Sequence, residues 1–311
     1  MSKRTLVALG GNALLQPGQR GTFEEQLENV HAACETLVEL VENGHRLLVT
    51  HGNGPQVGNL LIQNEAASEN IPVQPLHSCV AQTQGQMGYM IQSALDNILR
   101  KKECSLQTAT ILTRVLVDRG DPAFANPTKP VGPFFSEAYA KQRQAQGETY
   151  MNDSNRGWRR IVPSPTPLEI VELEVIKQTF ERPAVTIAVG GGGIPVIEEG
   201  DQYVGVDAVI DKDLASSLLA RLLDVDMFVI LTDVTNVKLN YNTPSEVNLD
   251  HLSIRACQQH LAKGEFGIGS MAPKVQAATE FVQATKKAAI ITSLTEVVAA
   301  LAGNAGTRIT I

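Results

Sequence analysis

One transition recurs in this chain and constrains its fold more than any other feature: a short, continuous apolar run that stops on glycine or a small polar residue. Residues 5–9 run into Gly10-Gly11-Asn12, 47–50 into His51-Gly52-Asn53-Gly54, 184–189 into Gly190 to Gly193, and 227–231 into Thr232-Asp233. Short runs that are apolar throughout read as strands covered on both faces. Helical patterns lie between them. Thr22-x-x-Glu25 spells a capping box, followed by an apolar stripe of Leu27, Val30, Cys34, Leu37, Val38 and Val41 that ends at Gly44. Further helices are expected near 167–181, 214–223 and 273–285, the last with Pro273 in its first turn. Strands alternating with helices make an α/β protein with a mostly parallel sheet and right-handed crossovers. Ligands of such sheets sit beyond the carboxyl ends of the strands, where this sequence concentrates its glycines.

Residues 126–167 differ in character. They carry Pro127, Pro130, Pro133, Pro163, Pro165 and Pro167, many charges and the sole tryptophan, Trp158. That composition reads as a flap inserted between core elements. A length of 311 residues allows two domains or one large α/β unit. With 43% apolar and 19% charged residues, disorder is excluded. A net charge of −7 argues against nucleic acid or an anionic membrane as partner, so an anion must be held by a local site. Cys34, Cys79, Cys104 and Cys257 are far apart with no C-x-x-C pair, which points to reduced thiols rather than disulfides or zinc. The amino-terminal apolar run is cut short by Gly10, and no stretch reaches the ~20 apolar residues of a membrane helix. A cytoplasmic protein is expected.

Glycine at a strand end lets the backbone approach a ligand and aim N–H groups at an anion, but it also serves plain turn geometry. Three such clusters on one sheet edge favour an anion site. No G-x-x-x-x-G-K-[ST] motif occurs, which excludes a P-loop. Gly52-x-Gly54-x-x-x-Gly58 approaches the dinucleotide fingerprint but lacks the acidic residue at the expected spacing, leaving an NAD(P) enzyme as a weak alternative.

Lysines supply the charge that a moving phosphoryl group requires. Lys212, in Val209-Ile210-Asp211-Lys212-Asp213, stands either at a site or at a solvated helix start capped by aspartate. Lys274 falls in the first turn of the last long helix, where the dipole disfavours a cation by ~0.3–1 kcal/mol and a bound anion would compensate. Lys129 lies on the flap, able to swing over a substrate or to sit as a surface charge. Asp213 could orient Lys212 and Lys274. Thr232-Asp233 suits a nucleotide or forms a simple Asx turn. His51 either touches ligand or orients the loop backbone beside it. No metal-ligating histidine pair and no G-x-S-x-G elbow is present.

The motifs LVALGGNAL (6–14), THGNGPQVGN (50–59), DPAFANPTKPVG (121–132), GWRRIVPSP (157–165), VGGGGIP (189–195), VIDKDLA (209–215), ILTDV (230–234) and GSMAPKV (269–275) together resemble the carbamate kinases of the amino-acid-kinase superfamily, in order and over the whole chain. The resemblance implies a homodimeric three-layer αβα sandwich with an amino-terminal acceptor lobe (1–212), a carboxyl-terminal nucleotide lobe (213–311) and a protruding subdomain, the flap at 126–167. It implies reversible transfer between ATP and carbamate with Mg²⁺, run toward ATP in catabolism. Gly10, Gly11, Asn12, Gly52, Asn53 and Gly54, with Gly191 and Gly192, would hold carbamate and the phosphoryl group. Lys212 and Lys274 would neutralise it, Asp213 would organise them, and Lys129 would close from the flap. Thr232, Asp233, Tyr241 and Met271, with Lys212, Asp213 and Lys274, would take the nucleotide. The chain departs from the family in Ala272, where glycine is usual, and in the stretch holding Lys238 and Tyr241. Other readings are a relative with a different acid acceptor and a nucleotide-binding regulator without turnover.

Overall fold

A computed structural model describes residues 2–11, 14–16, 18–153, 157–267 and 270–311. Its main sheet has eight strands in the order His251–Ser253, Thr307–Thr310, Ala289–Ser293, Met227–Thr232, Lys3–Leu9, His45–His51, Ala184–Ile187 and Gln107–Thr110. The last six named are mutually parallel. Thr307–Thr310 runs antiparallel to Ala289–Ser293, and His251–Ser253 runs parallel to Thr307–Thr310.

The continuous apolar runs have a direct physical origin. Successive residues of a strand point to opposite faces, and here each face meets its own core. Leu6, Ala8, Leu48, Phe228 and Ile230 enter one cluster, whereas Val7, Leu9, Leu47, Val49, Val229 and Leu231 enter the other. Helices Phe23–Glu42 and Leu76–Lys101 cover the second face; Lys212–Leu222 and Met271–Thr285 cover the first. The result is the expected three-layer αβα sandwich.

The capping box forms as spelled: Glu25 N–H donates to Thr22 Oγ1 at 3.3 Å, and Thr22 N–H donates to Glu25 Oε2 at 3.0 Å. Leu27 is the exception in the stripe, 38% exposed and outside the core. The helix expected near 167–181 is corrected. Pro167–Ile170 is an edge strand of a second, four-stranded sheet, and only Leu173–Phe180 is helical. Proline suits the first residue of an edge strand, where no ladder N–H is required.

The flap carries its own antiparallel sheet of Lys129–Phe135, Gly157–Val162 and Tyr150–Asp153, with helix Glu137–Gln144. Its small core stacks Phe135 on Tyr139 at 4.7 Å and sets Tyr150 edge-on to Phe135 at 5.8 Å. Glu65, on helix Gly54–Ala66, anchors the flap by accepting from Tyr139 Oη at 2.8 Å and pairing with Arg143 at 3.1 Å. Beside this anchor the two backbones touch: a Cβ on Gly58 would fall 2.1 Å from Gly132 Cα. One sheet runs through both halves of the chain, with Lys3–Leu9 paired to Met227–Thr232. Among the described residues, no helix is long and apolar enough to cross a membrane.

Candidate active site

Parallel strands deliver their carboxyl ends to one edge, and the glycine turns follow there. Gly10 passes so close to the neighbouring strand that a Cβ would lie 2.5 Å from Leu231 O. Gly11 and Gly54, by contrast, have open space where a Cβ would be. A Cβ on Gly52 would sit 3.6 Å from Lys212 Cδ and 4.0 Å from Gly11 N, so the first two turns meet around Lys212. The third turn stands behind them. Gly191 (φ +67°) leaves room for Asn53, whose Nδ2 would be 2.1 Å from an added Cβ, and Gly192 (φ +91°) does the same for Ile210 O at 2.4 Å. Asn12 lies outside the described residues.

The charged cluster is built at the start of helix Lys212–Leu222. Asp211 caps it, with Oδ1 accepting from the N–H groups of Asp213 at 2.9 Å and Leu214 at 3.3 Å. Lys212 is not a solvated helix start: its side chain is 13% exposed, and Nζ lies 2.5 Å from Asp213 Oδ1. Lys274, arriving from helix Met271–Thr285, places Nζ 2.9 Å from Asp213 Oδ2. One buried carboxylate thus holds both lysines. Lys129 comes in from the flap, its Nζ 2.6 Å from Asp211 Oδ2. Three ammonium groups face two carboxylates, a net single positive charge, which suits an anion.

Burial alone would raise the Asp213 carboxyl, but the ammonium groups of Lys212 and Lys274 and their hydrogen bonds outweigh it and hold the group well below the usual carboxylate range. Lys212 is pushed below the ordinary lysine value by burial, and by the like charge of Lys274, with Asp213 offsetting only part. Burial also acts downward on Lys274, yet Asp213, Asp211 and Asp233 more than compensate and raise it. Lys274 is therefore the firm cation of the pair and Lys212 the one more easily deprotonated.

Beside the cluster opens a cavity of about 700 Å³, lined among others by Gly10, Gly11, Thr232, Asp233, Tyr241, Met271 and Lys274. Thr232 Oγ1 donates to Asp233 Oδ1 at 3.0 Å, so the local turn and the cavity position coexist. Lys238 pairs with Glu246 at 2.6 Å and stands 6.0 Å above the Tyr241 ring. Ala272 is the second residue of its helix, without a positive φ, so its methyl takes a conformation open to any residue. Among the described residues no group of three or more His, Cys, Asp or Glu could hold a metal ion. Sequence reasoning gave Asp211 only a capping role. Its second oxygen receives Lys129, a contact that the sequence did not assign, and the acidic residues on both sides of Lys212 were the available signal.

The amino acid kinase family matches residues 3–293. Over 312 residues the chain is 47% identical to a carbamate kinase of Pyrococcus furiosus, covering 99% of each protein. It is 48% identical over 296 residues to carbamate kinase 1 of Enterococcus faecium, covering 94% of each. The structure superimposes on carbamate kinase from Giardia lamblia bound to AMP-PNP with a TM-score of 0.93 and 46% identity, covering 99% of this chain and 98% of that one.

Proposed function

The chain belongs to the amino acid kinase family, among its carbamate kinases, and from that premise we propose that it moves a phosphoryl group reversibly between ATP and carbamate, giving ADP and carbamoyl phosphate. The observation that carries this reading is the convergence of Lys212 and Lys274 on buried Asp213 beside the first two glycine turns.

Carbamate is already an anion, so its oxygen attacks the γ-phosphorus without a general base while the bond from phosphorus to the ADP oxygen breaks. The protein has to align the partners and cancel charge on the moving group. Lys212 and Lys274 do the latter, both held in place by Asp213. Gly11 and the Gly52–Asn53–Gly54 turn offer backbone amides to the anion, and Asn12 is assigned to the same substrate on the family resemblance. Gly10, Gly191 and Gly192 support these turns through close packing. Lys129 closes the acceptor side from the flap, a role supported by its contact with Asp211 at the start of the Lys212 helix. Thr232, Asp233, Tyr241 and Met271 take the nucleotide in the neighbouring cavity.

Asp211 and Asp213 are already ion-paired, so the donor set fits a Mg²⁺ carried mainly by phosphate oxygens and water, with exposed Asp233 at hand. Bound there, the ion would neutralise charge between β- and γ-phosphates. Catabolic ATP formation from carbamoyl phosphate, a cytoplasmic homodimer and lobes at 1–212 and 213–311 with the 126–167 flap complete the proposal.

Purified protein given Mg-ADP and carbamoyl phosphate is expected to form ATP, and far less with acetyl phosphate. No ATP from carbamoyl phosphate refutes the assignment.

A further inference from the structure

We infer that His51 is a positioning residue for the phosphoryl site: its imidazole clamps the Gly52 carbonyl and so turns the Asn53 amide N–H toward the transferring group, a role that rests on the phosphotransfer reading above. His51 ends the strand His45–His51 and is fully buried. Its Nδ1 lies 2.9 Å from Gly52 O. A carbonyl oxygen only accepts, so the ring proton is on Nδ1. Nε2 is then a bare acceptor, and it is buried without a hydrogen-bond partner. Protonating it would create a second cation near Lys212; burial, reinforced by Lys212 and only partly opposed by the Gly52 bond, holds the imidazole down to about 4. The ring is neutral, in one tautomer.

The clamp is braced from both sides. A Cβ on Gly190 would fall 2.3 Å from His51 Nε2 and 2.6 Å from Cε1, so the ring lies against a bare Cα. Gln84 Nε2 donates to Gly190 O at 2.8 Å and fixes that surface. On the far side, Asn53 Nδ2 donates to Thr83 Oγ1 at 2.9 Å. Gly52 is thereby held between two immobilised side chains. In a planar trans peptide the C=O and N–H point in opposite directions. Drawing Gly52 O to the imidazole therefore directs the Asn53 N–H away from it, and the Cα face of Gly52, where a Cβ would stand, lies against the Lys212 side chain and Gly11 N at 3.6–4.0 Å. An unpaired buried acceptor is a standing cost that an aliphatic side chain would avoid, which argues that the ring is kept for its donor.

The test compares His51→Asn, His51→Gln and His51→Leu with the parent protein in ATP formation, with melting temperatures measured alongside. Asparagine puts Nδ2 near the place of the imidazole Nδ1, glutamine reaches too far, and leucine has no donor. His51→Asn is expected to keep kcat within about threefold, while the other two lose on the order of 100-fold in kcat with KM for Mg-ADP unchanged. Leucine or glutamine variants that retain kcat, or an asparagine variant that falls as far as they do, overturn the inference. Should His51→Leu fail to fold, the asparagine and glutamine pair decides. A readout independent of turnover comes from imidazole ¹⁵N spectra of the parent protein. A single Nδ1–H tautomer is expected well into the acid range, and an Nε2–H or mixed signal refutes the clamp even if ATP is formed.

Discussion

Replacing Asp213 by asparagine keeps its shape and removes the charge that holds Lys212 and Lys274 together. At 2.5 and 2.9 Å each N⁺···O⁻ contact carries about 6 kcal/mol of gross attraction at an effective dielectric of about 20, most of it offset by desolvation of the buried groups. Removing one partner of such a cluster costs about 3–5 kcal/mol, because the remaining charges stay buried without compensation. The asparagine amide also turns an N–H donor toward one ammonium group. Lys212, already lowered by burial and by Lys274, then loses the interaction that opposed both. Its midpoint falls further and it carries less positive charge at a given pH; losing one cation opposite the transferring group altogether costs about 3 kcal/mol, a 10²–10³-fold fall in kcat, which bounds the effect. Steady-state ATP formation from Mg-ADP and carbamoyl phosphate measures this. Because the defect is a missing proton, acidification should raise the rate of Asp213→Asn by a larger factor, and over a lower pH range, than it raises that of the parent. The depressed carboxyl of Asp213 stabilises the parent fold above the ordinary carboxylate range, and that contribution fades as pH falls through its lowered value, so the variant should also show a shallower acid dependence of stability. A folded Asp213→Asn with kcat within about fivefold of the parent, or with no acid rescue, refutes the electrostatic account.

Lys212→Ala and Lys274→Ala should each lower kcat by roughly 10²–10³-fold while unfolding stays cooperative by calorimetry; near-parental kcat in either removes that lysine from the mechanism. In the parent, kcat should fall as pH rises, with a midpoint below the ordinary lysine range, because Lys212 must be protonated and burial has lowered it; a rate profile flat through that range contradicts the sign. Gly58→Ala puts a methyl 2.1 Å from Gly132 Cα and forces the flap off helix Gly54–Ala66. The Lys129 contact with Asp211 should open, raising KM for carbamoyl phosphate about tenfold with KM for Mg-ADP unchanged, and equal shifts in both KM values would sink the idea.

The strands of the main sheet were legible because two-sided burial makes every position apolar, a pattern that few other environments impose. Pro167 misled for a definite reason: proline suits both the first turn of a helix and the first residue of an edge strand, and the tertiary partner, Arg114–Val117, decides between them. The 26-residue helix Leu76–Lys101 escaped notice although Leu76, Val80, Met87, Ile91, Leu95 and Ile98 lie on its buried face. Its stripe is interrupted by Thr83 and Gln84, buried polar residues that hydrogen-bond to neighbouring turns at Asn53 and Gly190, and by Gly88. That glycine is there because a Cβ would lie 2.3 Å from Thr110 Cγ2, a demand of packing that reads in sequence as a helix breaker.

The site shows the same division between what a residue type announces and what only geometry assigns. Lys212 and Asp213 announced themselves because charge directly after an apolar run needs a partner or a ligand, and the partner proved to be Lys274, 61 positions away. Glycine announces less. Close backbone packing and an anion cradle both require a missing Cβ, so Gly10, Gly190, Gly191 and Gly192, which accommodate Leu231, His51, Asn53 and Ile210, look the same in sequence as Gly11 and Gly54, which face open space. Gly190 and Gly191 lie against His51 and Asn53, the two side chains that flank Gly52, and Gly192 lies against Ile210, next to Asp211. A side chain added at Gly191 would therefore act on turnover through Asn53, without touching substrate, and its effect should vary with the volume added rather than with charge.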